Sequence, residues 1–238
     1  MNISTRRKIL FGLLLVFVVA TITMLVVFQL TKRQEKLVYE YSGRALEQVA
    51  EAIVRQTESQ VFKVVFDYTY WDDMVSFAQN PETAWGDDNL ATLHASFGFD
   101  YVLVFNQNRE VVYEYSNEDI EPLFIESITE NFLDSLHLQR FCSFYEYVNQ
   151  ELGFFQGATI HPTDDVERNS QPRGYLIVGN LWIDDEWENA QRLSGAALSV
   201  FQPSEYITDP LPPDMLQAAY FFPGLDGEVA AIGVFRRQ

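Results

Sequence analysis

The sharpest change of polarity along the chain comes near its start. Ile9 to Phe28 is 20 residues without a charge; fifteen are Ile, Leu, Val or Phe, and only Gly12, Ala20, Thr21, Thr23 and Met24 vary the run. As a helix rising about 1.5 Å per residue it spans about 30 Å, the thickness of a hydrocarbon core. Large apolar residues at roughly −0.3 to −0.6 kcal/mol each supply on the order of −5 to −9 kcal/mol for insertion. A cleavable signal peptide would stop near Val18-Val19-Ala20, whereas this run continues for eight more residues. The pattern predicts a transmembrane helix over 9–30 behind a cytoplasmic tail, 1–8, whose Arg6, Arg7 and Lys8 favour the inner side. Lys32, Arg33 and Lys36 on the far side weaken that bias without reversing it.

Beyond the span the period becomes that of an amphipathic helix over about 32–78. Leu46, Val49 and Ile53 keep a 3-then-4 spacing, and no Gly or Pro interrupts Arg44 to Asn80. The seam then meets Gln56 and Gln60, which weakens a long coiled coil. The expectation is a stalk whose upper half makes a homodimer contact and whose lower half packs on its own domain. Asn80-Pro81 ends the helix. Trp85-Gly86-Asp87-Asp88 reads as a turn-rich connector, and Asn89 to Phe97 as a short helix capped by Gly98. Tyr101–Phe105 and Val111–Tyr115 form a hairpin pattern around Asn106 to Arg109. Ser116 to Leu136 returns to helical composition. Phe141–Val148, Gly153–Ile160 and Tyr175–Trp182 read as strands, Asp184–Leu193 as a helix and Ala196–Phe201 as a strand. Pro203 and Pro210 to Pro213 mark a surface excursion, and Ala218–Phe222 with Glu228–Phe235 a last hairpin around Gly224 to Gly227. The sum is an α+β fold with a central antiparallel sheet, one domain over 31–238.

Charge narrows the function. The net charge is −18. With Arg6, Arg7 and Lys8 set aside, the remainder carries −21, from 13 basic and 34 acidic residues. Such a surface repels nucleic acid and anionic headgroups. Cys142 is the only cysteine, so no intrachain disulfide forms.

Candidate chemistry concentrates at Asp67-Tyr68-Thr69-Tyr70-Trp71-Asp72-Asp73. Asp67, Trp71 and Val75 share one helical face, Tyr68 and Asp72 the next. Either a carboxylate beside these aromatics binds a polar ligand, or Trp71 packs in the core while Asp67 or Asp72 caps the Trp85–Asn89 turn. Asn89 can serve as a helix N-cap before Leu90. Asp72-Asp73, Asp87-Asp88, Asp164-Asp165 and Asp184-Asp185 lack the alternating ladder of a calcium loop and read as solvated faces. His161 lies near acids, but no metal-ligand spacing accompanies it. No phosphate loop, nucleophile elbow or zinc-protease helix occurs, no cofactor is implied, and Cys142 has no histidine partner, so no catalysis is expected from this chain.

The segment from Asp67 through Asn89-Leu90 resembles the opening signature of the CHASE4 family of extracytoplasmic sensory domains. The likeness continues through Asp100 to Tyr115, Thr159 to His161, Arg173 to Leu181, Arg192-Leu193-Ser194-Gly195 and Leu225 to Arg236. At the first hairpin the family usually has an Asp-x-x-Gly turn, where this chain has Asn106 to Arg109. The resemblance implies a PAS-like (Cache-like) fold outside the cytoplasmic membrane, on the periplasmic side. It further implies a small-molecule or protein signal and a histidine kinase or cyclic-di-GMP enzyme as cytoplasmic output, in cis or in trans. Members usually sit between two membrane helices, whereas this chain stops at Phe235-Arg236-Arg237-Gln238. It is expected to be the sensor piece of a longer receptor or a free-standing sensor with a partner. An anchored subunit that recruits a partner protein is the alternative. A PAS-like pocket would be lined by Tyr101, Leu103, Phe105, Tyr113, Phe154, Arg173 and Tyr175, and Arg173 either grips an anionic ligand or is a surface-loop residue.

Overall fold

The computed structural model describes residues 3–117, 130–148, 150–182, 184–207, 212, 215–225 and 227–237. The helix α1, Ile3–Tyr68, runs 66 residues without a break, about 100 Å. Its first part is long and apolar enough to cross a membrane. Every large apolar side chain from Ile9 to Phe28 is exposed there, a surface that suits lipid rather than water.

The predicted helix over 32–78 is two helices. The Thr69 hydroxyl donates back to the Val65 carbonyl at 2.7 Å, Tyr70 N–H closes a tight turn on Asp67 O at 3.1 Å, and Trp71 is extended. α2, Asp72–Gln79, starts afresh with Asp72 and Asp73 in its first turn, where the helix dipole favours acids. The buried stripe of α1 also differs from the expected seam. Leu46, Ala50, Val54, Val61 and Val65 face inward, whereas Val49 is exposed and Ile53 half-buried. Leu46 is therefore taken up by its own domain and is not available as a dimer contact.

The connector at Trp85–Asp88 is helical: α3 spans Thr83–Asn89, followed by α4, Thr92–Phe97. Gly86 is tolerated inside α3 because the Tyr113 ring lies over it; a Cβ there would stand 2.5 Å from that ring. Gly98 closes α4 in the left-handed region at φ 72°, as predicted.

Five antiparallel strands follow: β1 Tyr101–Asn106, β2 Val111–Ser116, β3 Phe141–Val148, β4 Glu151–Ile160 and β5 Gly174–Trp182, in the order β2-β1-β5-β4-β3. That is the order of a PAS-like sheet. In the β1–β2 turn Asn106 Oδ1 accepts from the N–H groups of Asn108 and Glu110, and Arg109 adopts φ 65° where the family pattern has glycine. α5, Glu130–Gln139, covers one face; of the helix expected from Ser116, Ser116 instead closes β2, Asn117 is not helical, and 118–129 lie outside the described residues.

The expectation of one central sheet is incomplete. After α6, Asp184–Ser194, the strands β6 Ala197–Phe201, β7 Leu216–Pro223 and β8 Val229–Arg237 form a separate sheet in the order β6-β8-β7. It seats Phe235, Ala218 and Ala196 on Leu46 and Ala50 of α1. Most of the Pro210–Pro213 excursion, Asp226 of the last turn and the side chains of Asp184-Asp185 lie outside the described residues.

Candidate functional site

Alternation along β1 and β5 sends neighbouring residues to opposite faces, so the expected pocket lining is divided. Tyr101, Leu103, Phe105 and Tyr175 lie under α5 with Phe132, Leu133 and Leu136. Tyr113 and Phe154 lie on the other face, in the core that α1 and α2 close. The α5 face is filled: Gly157 approaches so closely that a Cβ would meet Leu136 at 3.0 Å and Phe132 at 3.1 Å. Its rim is polar, with the Tyr175 hydroxyl 2.9 Å from His137 Nδ1 and Arg109 tied to Asp134 at 2.5 Å. Tyr113 donates to Asp87 at 3.3 Å, and burial with that neighbouring carboxylate pushes its phenol up to about 12.

The aromatic-acid segment sits where α1 ends. Asp67 and Asp73 are exposed, and Trp71 is half-buried with its ring 4.4 Å from that of Tyr68. Asp72 does not cap the Trp85–Asn89 stretch; its Oδ1 accepts from Thr163 N–H at 3.0 Å. Asn89 is not an N-cap but the last residue of α3, donating its amide to Trp85 O at 2.9 Å. Arg173 is exposed on the loop between β4 and β5, and it shares an open depression with Asp72, Asp164 and Asp165. Of the predicted site residues, the structure thus gathers Asp72 and Arg173 at one place and Tyr101 and Tyr175 at another.

The most constrained polar group is one the sequence pattern does not flag. Arg168 stands in the β4–β5 loop at φ 51°, and only 4% of its surface is exposed. Its guanidinium donates to Thr159 O, to Thr69 Oγ1 at 2.8 Å and to Phe66 O at 3.4 Å. The rings of Phe141, Phe66 and Tyr70 surround it at 4.4, 5.3 and 5.4 Å. Burial lowers its pKa to about 10, which still leaves it charged at neutral pH. Beside it, fully buried His161 places Nδ1 2.9 Å from Asp165 Oδ2 and Nε2 3.0 Å from Thr159 Oγ1, while its backbone N–H donates to Thr69 O at 3.1 Å. Ser170, through its hydroxyl at 2.5 Å and its backbone, with Asn169 N–H, holds the Asp165 carboxyl well below the usual range. Burial holds His161 below its ordinary value against the pull of Asp165. The only sequence sign of this cluster is a lone arginine after Asp164-Asp165-Val166-Glu167.

Chemically the arrangement is a latch. It binds the end of α1 to the β4–β5 loop through a buried cation, and its hydroxyl–imidazole contact, Thr159 Oγ1 to His161 Nε2, is fully buried. Among the described residues no group of three or more His, Cys, Asp or Glu is placed to hold a metal ion.

The periplasmic domain of Vibrio cholerae LuxQ superposes with a TM-score of 0.49 at 10% identity, covering 84% of this chain and 99% of that one. The ligand-binding domain of the Pseudomonas aeruginosa PAO1 amino acid chemoreceptor PctC in complex with GABA gives 0.46 at 12% identity, covering 84% and 100%. No curated protein sequence matches the chain. The CHASE4 domain model matches residues 53–201, from the last quarter of α1 through β6 and across the latch, and so more than half of the sequence. The chain therefore belongs to the CHASE4 domain family and is an extracytoplasmic sensor module.

Proposed function

We propose that this module is anchored in the inner membrane by the first part of α1, with residues 1–8 in the cytoplasm and 31–238 in the periplasm. In this reading it receives a small-molecule or protein signal and passes it to a histidine kinase or cyclic-di-GMP enzyme, in cis or in trans. The observation that carries the reading is the unbroken course of α1. The helix with bare apolar side chains at Ile9–Phe28 is the helix whose last turn, at Phe66, and the residue just after it, Thr69, are gripped by Arg168. A change in the β4–β5 loop would thus bear directly on the membrane-spanning rod as a small slide or rotation. Dimerisation, if it uses the stalk, falls on the exposed side, where Leu37, Val38, Tyr41 and Val49 lie, and not on Leu46.

Protease added to spheroplasts tests the topology. The reading expects digestion of the bulk of the chain while an N-terminal cytoplasmic tag survives. Complete protection of residues 31–238 in sealed spheroplasts, with digestion only after lysis, overturns it.

A further inference from the structure

One side chain of the latch is placed to hold two states. His161 is wholly enclosed, and both of its ring nitrogens have partners. Ser170 and Asn169 keep the Asp165 carboxyl ionised, so Nδ1 carries a hydrogen and donates to it at 2.9 Å. Nε2 is then the bare nitrogen, and it accepts from the Thr159 hydroxyl at 3.0 Å. That hydroxyl has a second acceptor in reach, the Arg140 carbonyl at 3.4 Å. A proton arriving at Nε2 therefore costs no hydrogen bond. The imidazolium donates to Thr159 Oγ1, and the hydroxyl hydrogen turns to Arg140 O.

What changes is charge. Of the groups that act on His161, Asp165 in its own loop draws the proton in, while Arg168 in that loop and Arg140, between α5 and β3, oppose it. The end of α1 contributes the phenol of Tyr70, which burial keeps neutral, and Asp164 and Glu167 act on that phenol. Asp72 of α2 is turned to Thr163 N–H, and Arg173 is exposed at the rim. Protonation thus takes the cluster around Asp165 from two cations to three, with one carboxylate to answer them.

The hold on α1 is not over-determined. Arg168 Nε is buried without a partner, and the bond to Phe66 O is long at 3.4 Å, so the short bond to Thr69 Oγ1 at 2.8 Å carries most of the grip. His161 N–H also donates to Thr69 O, so a shift of the imidazolium away from Arg168 pulls on the same residue.

We propose that the latch is a proton-operated release: when His161 takes up a proton, repulsion between the imidazolium and Arg168 loosens the hold on Phe66 and Thr69 and frees the end of α1. The extracytoplasmic proton is then an input to the module. The inference deepens the sensor reading and rests on it for what the release acts upon. Protease accessibility tests the topology and hydrogen exchange tests the latch, so the two fail separately.

Amide hydrogen exchange of the full chain in lipid nanodiscs is followed from about pH 7.5 to about pH 4.5, with labelling times scaled to the intrinsic rate. In the wild type, protection across residues 66–71 should fall about tenfold while β1 keeps its own, the effect of two like charges brought together in the interior. His161→Gln, which takes up no proton, should give a flat profile. Thr159→Val removes the hydroxyl that receives Nε2–H and should displace the fall to lower pH by about one unit or more, the effect of one charged buried hydrogen bond. The proposal is overturned if the wild-type profile is flat, if β1 loses protection equally, or if the fall survives His161→Gln. It is equally overturned if Thr159→Val leaves the fall in place or moves it to higher pH, and that variant decides alone should His161→Gln not fold.

Discussion

Arg168 and Arg173 lie five positions apart in one loop and do opposite things. The Arg173 side chain is exposed, whereas Arg168 is buried and donates to three acceptors in the latch. Arg168→Met keeps length and apolar contact but removes the charged donor from Thr159 O and Thr69 Oγ1; it should cost about 3 kcal/mol in chemical denaturation, as for loss of charged buried hydrogen bonds. Arg173→Met should stay within about 0.5 kcal/mol, as at ordinary surface positions. His161 gives the same site a pH dependence. Burial depresses its pKa, so below about pH 6.5 the unfolded chain takes up a proton that the folded chain refuses. The contribution of His161 is therefore complete above pH 6.5 and is lost as pH falls from there toward the lowered folded value. Glu58, raised by burial although Tyr145 donates to it, works the other way, gaining stability as pH falls toward 4.5. The difference between wild type and His161→Gln isolates the histidine: melting temperature should fall less steeply in the variant between about pH 7 and pH 5. Little of this was legible in the sequence. A polar loop with acids reads as solvated face, and only the fold reveals that one of its cations turns inward at positive φ.

The secondary structure was more transparent, because strands announce themselves by β-branched and aromatic runs between turn residues. Phe141–Val148 appears as read, and the Asn106 turn keeps its role although Arg109 replaces a glycine. The α1–α2 break was hidden, since Thr69 to Trp71 holds neither Gly nor Pro. The interruption comes from the Thr69 hydroxyl and from His161 taking the Thr69 carbonyl, which are tertiary facts. The division of Tyr101 and Tyr175 from Tyr113 and Phe154 follows from strand alternation once register is known, but a single sequence does not supply the register. The seating of α5 depends on Gly157, whose missing side chain admits Leu136 and Phe132. Gly157→Val should cost about 2 kcal/mol by overpacking. It should raise amide hydrogen exchange in α5 ahead of β4 and β5; unchanged exchange in α5 would show that the helix is held by other contacts.

The two sheets share one spine and one aromatic hinge. Leu46 and Ala50 of α1 pack with the three-stranded sheet, while Val54, Val61 and Val65 belong to the core that holds residues of both sheets, so one stripe of the helix serves both. Away from the helix the sheets meet at Phe222 of β7, whose ring lies 4.7 Å from Tyr145 of β3 and 5.7 Å from Trp182 of β5. A backbone bridge from Tyr145 to Gly224 and the Tyr145–Glu58 hydrogen bond add to the same junction. Strand propensity cannot reveal this, because the three C-terminal strands carry the same residue types as the first five. If the junction couples the sheets, a displacement at the latch moves the second sheet as well as α1. Phe222→Ala removes the ring from a fully buried position and should cost about 4 kcal/mol. If Phe222 is the coupling element, the loss will not be spread evenly. Hydrogen exchange should rise across β6 to β8 while β1, β4 and β5 stay protected, and thermal unfolding of the variant should proceed in two steps where the wild type melts in one. A variant that still melts in one step, with protection falling equally in both sheets, would place the coupling in α1 alone and leave the aromatic hinge as packing.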